Sequence, residues 1–265
     1  MIKPMLAYKV DKKPVDWSEK VYIQPKLDGI RCVIYVDDKE NIRCFSRTGK
    51  EFHNLEHIKL SLRKFFFDCA NVDVILDGEL YNHKLRDDFE KIVSLVRKQK
   101  PTVQDIVEAS QMTQYHIYDI ASMEYATYTD RNLFILAESC FKNKYCIQVT
   151  PTKLATDFDD AQKYHEKNLK AGYEGSIYRT PSGKYKGTRS WDLMKFKDFH
   201  DAEATIINYE VGKGKREGTL GKFFMMDDQG VRFGCPPGKG FTYKDLADIQ
   251  NNIHDYIGET ATFTY

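Results

Sequence analysis

The chain has 265 residues, 42% hydrophobic and 13% aromatic, enough to bury one large core or two modest ones. Its 40 basic and 39 acidic residues leave a formal charge of +1, so no overall basic field marks a polyanionic partner, and any such partner must be held by local patches. No apolar run reaches the roughly 18 residues of a membrane span, and the opening Met-Ile-Lys-Pro-Met-Leu-Ala-Tyr-Lys carries no long apolar run, so a soluble, non-secreted protein that binds no membrane is expected. Six cysteines, Cys32, Cys44, Cys69, Cys140, Cys146 and Cys235, show neither Cys-x-x-Cys spacing nor a paired histidine cluster. That pattern points to reduced thiols in a cytoplasmic or nuclear compartment, without a zinc site or disulfide framework.

In chain order, short β-type runs dominate from Lys20 to about Asp119: Val21–Ile23, Arg31–Val36, Ile42–Phe45, Val74–Leu76 and Tyr115–Asp119. Helical stretches are predicted near Leu55–Phe67, Asp88–Lys98, Asn132–Phe141 and Asp159–Ala171. The mixture lacks regular βαβ alternation and reads as α+β. After Lys197 the texture changes to strands over Ala204–Val211, Leu220–Met226, Val231–Cys235 and Thr260–Tyr265, with one helix near Tyr243–Ile253. A small OB-fold β-barrel has this composition. From Asp201 to Tyr265 there are seven basic and ten acidic residues, so the basic cluster Gly212-Lys-Gly-Lys-Arg216 reads first as a solvated loop.

Neither the P-loop nor the strand-linked Gly-x-Gly-x-x-Gly pattern occurs, so a nucleotide would have to bind in another way. The informative segment is Gln24-Pro-Lys-Leu-Asp-Gly-Ile-Arg31. A lysine between a strand and a turn can act as a nucleophile when desolvation or nearby cations lower its pKa, because only the neutral amine attacks. Five further segments follow in order: Ser46-Arg-Thr-Gly49, Leu76-Asp-Gly-Glu-Leu80, Ile117-Tyr-Asp119, Tyr173-Glu-Gly-Ser-Ile-Tyr-Arg179 and Asp192-Leu-Met-Lys-Phe-Lys197.

Together these segments resemble the motif series of the covalent nucleotidyltransferases, which include ATP-dependent DNA ligases, RNA ligases and mRNA capping enzymes. Phe199-His-Asp-Ala-Glu-Ala-Thr-Ile206 is similar to the domain junction of the DNA ligase branch, in particular its minimal virus- and phage-type members. The resemblance implies a nucleotidyltransferase (adenylation) domain over residues 1–198, with antiparallel sheets and flanking helices, followed by an OB-fold domain over residues 199–265. It implies an ATP-dependent DNA ligase acting as a monomer on nicked duplex DNA, with ATP and Mg²⁺ or Mn²⁺ as cofactors.

Residue by residue, the resemblance assigns Lys26 as the group that takes AMP, with Lys195 and Lys197 stabilising the transferring phosphoryl charge. Gln24 matches a reader of the adenine edge and Tyr118 an aromatic that stacks on the base. Glu79 and Glu174 match metal-placing carboxylates, Glu79 also contacting the ribose. Arg31, Arg47 and Arg189 match candidates for the nick phosphate, Arg31 also lying in the nucleotide site. Asp28 is read as support for the loop, and a hinge is expected near Lys197–Asp201. The chain stops where this family normally continues to a Pro-Arg-Phe-Pro element, so the last barrel strand is expected to be missing. The short Glu210–Lys222 connection implies a weaker, more salt-sensitive grip on DNA. The competing readings are an RNA ligase, a guanylyltransferase using GTP, and a binding module without catalysis.

Overall fold

A computed structural model describes residues 3–123, 125–142, 144–197, 201–238 and 240–264. Two compact units divide at Lys197 and Asp198. In the first, β1 (Leu6–Lys9) precedes β2 (Val21–Lys26), β3 (Ile30–Val36) and β4 (Ile42–Ser46). Next come α1 (Glu56–Arg63), β5 (Leu76–Tyr81), α2 (Phe89–Val96), α3 (Val103–Met112), β6 (Gln114–Ile120) and α4 (Tyr128–Ala137). The unit closes with β7 (Ile147–Val149), β8 (Lys153–Ala155), α5 (Phe158–Lys170), β9 (Gly175–Arg179) and β10 (Arg189–Phe196).

These strands form two five-stranded sheets, ordered β1-β10-β9-β2-β8 and β4-β3-β5-β6-β7. Pairing is antiparallel as expected except at β1 with β10 and at β6 with β7, which are parallel. Ile34, Cys32 and Leu76 of the second sheet pack with Ile58 and Leu62 of α1 and Ile92 of α2 in the largest core. Full burial of each such aliphatic side chain contributes roughly 1.5–3 kcal/mol. The first sheet packs Val21, Ile23 and Tyr178 against Ala161 of α5. A third cluster of Met5, Ala121, Tyr185 and Leu193 joins residues flanking both sheets.

In the second unit, β11 (Asp201–Val211), β12 (Leu220–Met226), β13 (Arg232–Cys235) and β14 (Thr260–Thr264) make one antiparallel sheet in the order β13-β12-β11-β14. The helix α6 (Tyr243–Asn251) packs Leu246 on Leu220, the arrangement of an OB-type half-barrel. The β11–β12 connection is short, as its sequence implies: β11 ends at Val211 and β12 begins at Leu220. Phe199 and His200 of the junction motif lie outside the described residues, with Asp198 of the expected hinge and Tyr265 of the last predicted strand.

Three readings of the sequence change. The helix predicted at Asn132–Phe141 starts earlier, at Tyr128, because Thr127 and Asp130 form a reciprocal capping box. The strand predicted at Val74–Leu76 lies at Leu76–Tyr81, running through the polar Asp-Gly-Glu segment. Helix α3 was not predicted, and it is set by a second capping box between Thr102 and Asp105. In both boxes Asp replaces the more familiar Glu or Gln.

Candidate active site

Between the two sheets of the first unit lies a cavity of about 250 Å³. Lys26 stands at the last position of β2, and the two-residue period of the strand puts Gln24 on the same face. Lys26 is paired with Gly175 at the start of β9. A side chain at Gly175 would meet the carbonyl oxygen of Phe196 at 2.3 Å, so glycine is what lets β9 run between Lys26 and the Lys195–Lys197 segment. Gly29 serves the neighbouring turn similarly, since a Cβ there would meet the Leu80 carbonyl at 2.4 Å and Glu79 Cγ at 2.8 Å.

The second sheet supplies the opposite wall. Arg31 on β3 is paired with Glu79 on β5. Between β5 and β6 the register slips, with Asp77 opposite Asp119 and Gly78 opposite Ile117. Tyr118 is the extra residue of that bulge, a device that re-aims one side chain out of the regular alternation. Two guanidinium groups approach its ring, Arg31 at 5.2 Å and Arg179 at 5.4 Å from the ring centre.

Of the ten site residues marked by the motifs, the cavity gathers Gln24, Lys26, Arg31, Arg47, Glu79, Tyr118, Arg189 and Lys195. Glu174 and Lys197 do not line it but are tied to it: Glu174 pairs with Lys26 through one oxygen and with Lys197 at 3.4 Å through the other. Exposed Arg47 is carried by a tight turn in which Gly49, at φ 81°, donates to the Ser46 carbonyl at 2.9 Å. Arg189 donates to the carbonyl of Ala7. Asp28 is exposed and opposes the fall of the Lys26 pKa.

The electrostatics follow from burial among like charges. Desolvation, reinforced by the ammonium groups of Lys195 and Lys197, brings Lys26 down to about 8, against the opposing pull of Asp28 and Glu79. Lys195 is also lowered, first by burial and then by Lys197, Lys9, Arg189 and Arg47, so these five cations share one field. Glu79 is pushed up to about 7 by burial, with Arg31, the Tyr118 hydroxyl and Lys26 acting in the other direction. Burial keeps the Tyr118 phenol protonated, and it donates to Glu79 at 3.1 Å.

Behind the cavity lies a polar network that sequence reasoning missed. Asp77 is fully buried and accepts both Nε at 2.6 Å and Nη2 of Arg31, together with the Tyr185 hydroxyl at 2.7 Å. Fully buried Asp119 accepts from Arg131 Nε and Arg179 Nη1, each at 2.6 Å. Arg179 Nε also donates to Gln24 Oε1 at 2.8 Å. Lys9, paired in register with Lys195, is another contributor that the motifs did not mark.

Elsewhere, Cys69, Glu138 and Cys140 form the one group of three possible metal ligands, among the described residues, whose donor atoms lie within 4.8 Å of one another. Cys69 and Cys140 are 71 positions apart, so linear spacing could not reveal their 3.1 Å sulfur contact. All six cysteines are free thiols. Among the described residues, no helix is long and apolar enough to cross a membrane.

Residues 4–197 match the family described as "ATP dependent DNA ligase domain". A curated relative, the DNA ligase of African swine fever virus (isolate Warthog/Namibia/Wart80/1980), is 29% identical over 232 residues, covering 83% of this chain and 52% of the viral protein. The chain thus spans about half the length of that relative. Among solved structures, one from a study of Lig E DNA ligases superposes with a TM-score of 0.79 at 20% identity, covering all of this chain and 93% of the other, and shows the shared fold. The Chlorella virus DNA ligase–adenylate is 25% identical, with a TM-score of 0.55 over all of this chain and 91% of its own.

Proposed function

The chain belongs to the ATP-dependent DNA ligase domain family, and on that footing we propose that it seals 5′-phosphate/3′-hydroxyl nicks in duplex DNA through an AMP carried on Lys26. The observation that carries this reading is the setting of Lys26: a half-buried amine, lowered to about 8, at the edge of a cavity that also gathers the cations of Arg31, Arg47, Arg189 and Lys195, the Glu79 carboxyl, the Gln24 amide and the Tyr118 ring.

The neutral amine of Lys26 attacks the α-phosphorus of ATP, the new N–P bond forming as the bond to pyrophosphate breaks. Glu174, already hydrogen-bonded to Nζ, is placed to accept the proton the amine loses. Lys195, with Lys197 in the same field, balances the charge on the phosphates of ATP. Tyr118 gives the base a platform, worth about 1–3 kcal/mol for a stacked base. AMP then passes to the 5′-phosphate at the nick, and the 3′-hydroxyl displaces it. Positioning and charge stabilisation carry most of such phosphoryl transfers.

The donor set also suits Mg²⁺ or Mn²⁺, since such ions take one or two carboxylates together with substrate phosphates and keep several waters. Glu79 and Glu174 are the carboxylates that would hold one, and its chemistry would be neutralisation of phosphate charge.

Two results follow. The rate of self-adenylation should climb about tenfold per pH unit below about 8 and level off above it, because only the deprotonated amine of Lys26 reacts. A rate still climbing tenfold per unit at about pH 9 and levelling only above about pH 10 would place Lys26 at the ordinary lysine value. For the whole reaction, protein, Mg²⁺ and ATP are mixed with a duplex bearing one 5′-phosphorylated nick, and the joined strand is read on a denaturing gel. ATP-dependent joining is expected. Arg47→Ala should slow it about 10- to 100-fold, the worth of one charged hydrogen bond to phosphate, while self-adenylation changes much less. If no strand is joined although the protein takes AMP, the DNA-sealing assignment fails and RNA-joining substrates become the test.

A further inference from the structure

We infer that Arg179 is a positioning residue that fixes which face of the Gln24 amide meets the base, and so makes the site accept a 6-amino purine and refuse a 6-oxo purine. The inference rests on the adenylation reading of this cavity. Gln24 is 2% exposed, and its side-chain amide could in principle be turned either way. The neighbours remove that freedom. Arg179 Nε is a donor and nothing else, so the atom 2.8 Å from it must be the Gln24 oxygen.

The other partners agree. The Gln24 amide nitrogen donates to the Tyr128 hydroxyl and to Thr152 Oγ1, each at 2.9 Å. Both hydroxyls direct their own hydrogens to backbone carbonyls, Thr152 to Thr150 at 3.1 Å and Tyr128 to Tyr118 at 3.4 Å. Both amide hydrogens are therefore engaged, and the remaining capacity at Gln24 is the second lone pair of its oxygen. An acceptor there pairs with the exocyclic amine of adenine. Opposite the 6-oxo group of guanine or hypoxanthine it would set oxygen against oxygen in a desolvated site. Arg179 is held rigid because its Nη1 is bonded to Asp119 at 2.6 Å and its guanidinium lies 4.7 Å from the Tyr128 ring. Asp119 is in turn anchored by Arg131, so the donor that sets the amide from behind is itself fixed by a carboxylate accepting from two arginines.

ITP is the cleaner probe, since hypoxanthine carries the 6-oxo group and its accompanying N1 hydrogen without the added 2-amino group of guanine. Self-nucleotidylation of Lys26 is measured with ATP and with ITP, and the ratio of the two kcat/KM values is compared. The wild type should prefer ATP by about 100-fold or more. Arg179→Gln offers an amide that can serve either face of Gln24, and the ratio should fall below about 10-fold, with Arg179→Lys, which keeps a donor, restoring most of it. In a Gln24→Glu background the carboxylate accepts whichever way it turns, so the Arg179 change should leave the ratio unaltered. A purely structural role for Arg179 would lower both nucleotides together with no change in ratio, and that result overturns the inference. Should Arg179→Gln not fold, Gln24→Glu against Gln24→Met carries the same test: the first keeps the ATP preference, the second loses it, and equal ratios refute the acceptor argument. Labelling of the wild type by ATP with ratios that ignore Arg179 sinks this inference alone. Absence of labelling by either nucleotide sinks the adenylation reading with it.

Discussion

Lys26→Ala should reduce joining of a 5′-phosphorylated nick by more than about 10⁴-fold, while joining of a nick that already carries 5′-AMP falls far less. The asymmetry follows from the role of the side chain. In the first step Lys26 is the atom that forms the new bond, and neither its neighbours nor water can replace it. Arg31 and Glu79 are barred by chemistry, a guanidinium being no nucleophile and a buried carboxylate giving an unstable mixed anhydride. Lys195 is a neighbouring amine, but it sits in the shared field of Lys9, Lys197, Arg47 and Arg189 on a different strand. Once AMP is on the DNA, the remaining displacement needs only charge and position, which Lys195, Arg47 and Arg189 still supply. Equal loss on both substrates would show that Lys26 organises the site instead of reacting in it.

The second large effect is expected at Arg31. Its fork holds fully buried Asp77 through two nitrogens, and its plane lies against the Tyr118 ring. Arg31→Ala leaves that carboxylate with the Tyr185 hydroxyl as its side-chain partner, and breaking a buried pair in this way costs roughly 3–5 kcal/mol. Denaturant unfolding should register the loss directly. Arg31→Lys should recover little of it, because a single ammonium cannot span both oxygens of Asp77 and also support the ring. Activity should fall with both variants, since the Nη1 group of Arg31 is the part the Asp77 pairing leaves for a phosphate. An Arg31→Ala protein as stable as the wild type would mean that Asp77 is buried without needing its partner.

Much of the site was legible because its chemistry sits in short ordered segments. Lys26, Glu79, Tyr118 and Lys195 were marked by their motifs, and the fold brings all four around one cavity. What could not be read was the buried polar layer behind them. Asp77 and Asp119 look like strand breaks on a hydropathy scale, and the burial of each is set by arginines far away in the chain: Arg31 is 46 residues from Asp77 and Arg179 is 60 from Asp119. The same blindness displaced the β5 prediction, since Leu76-Asp-Gly-Glu-Leu80 becomes a strand only when Arg31 and Tyr185 satisfy its acid. Capping boxes closed by Asp explain the missed start of α4 and the missed α3, and the bulge that aims Tyr118 depends on a register that alternation alone does not specify.

The most direct test is to incubate the protein with ATP and Mg²⁺, digest it, and locate any added AMP by mass spectrometry. One AMP on the peptide containing Lys26, released when pyrophosphate is added back, is the predicted result. AMP on another residue, or none under conditions where the fold is intact, would contradict the account.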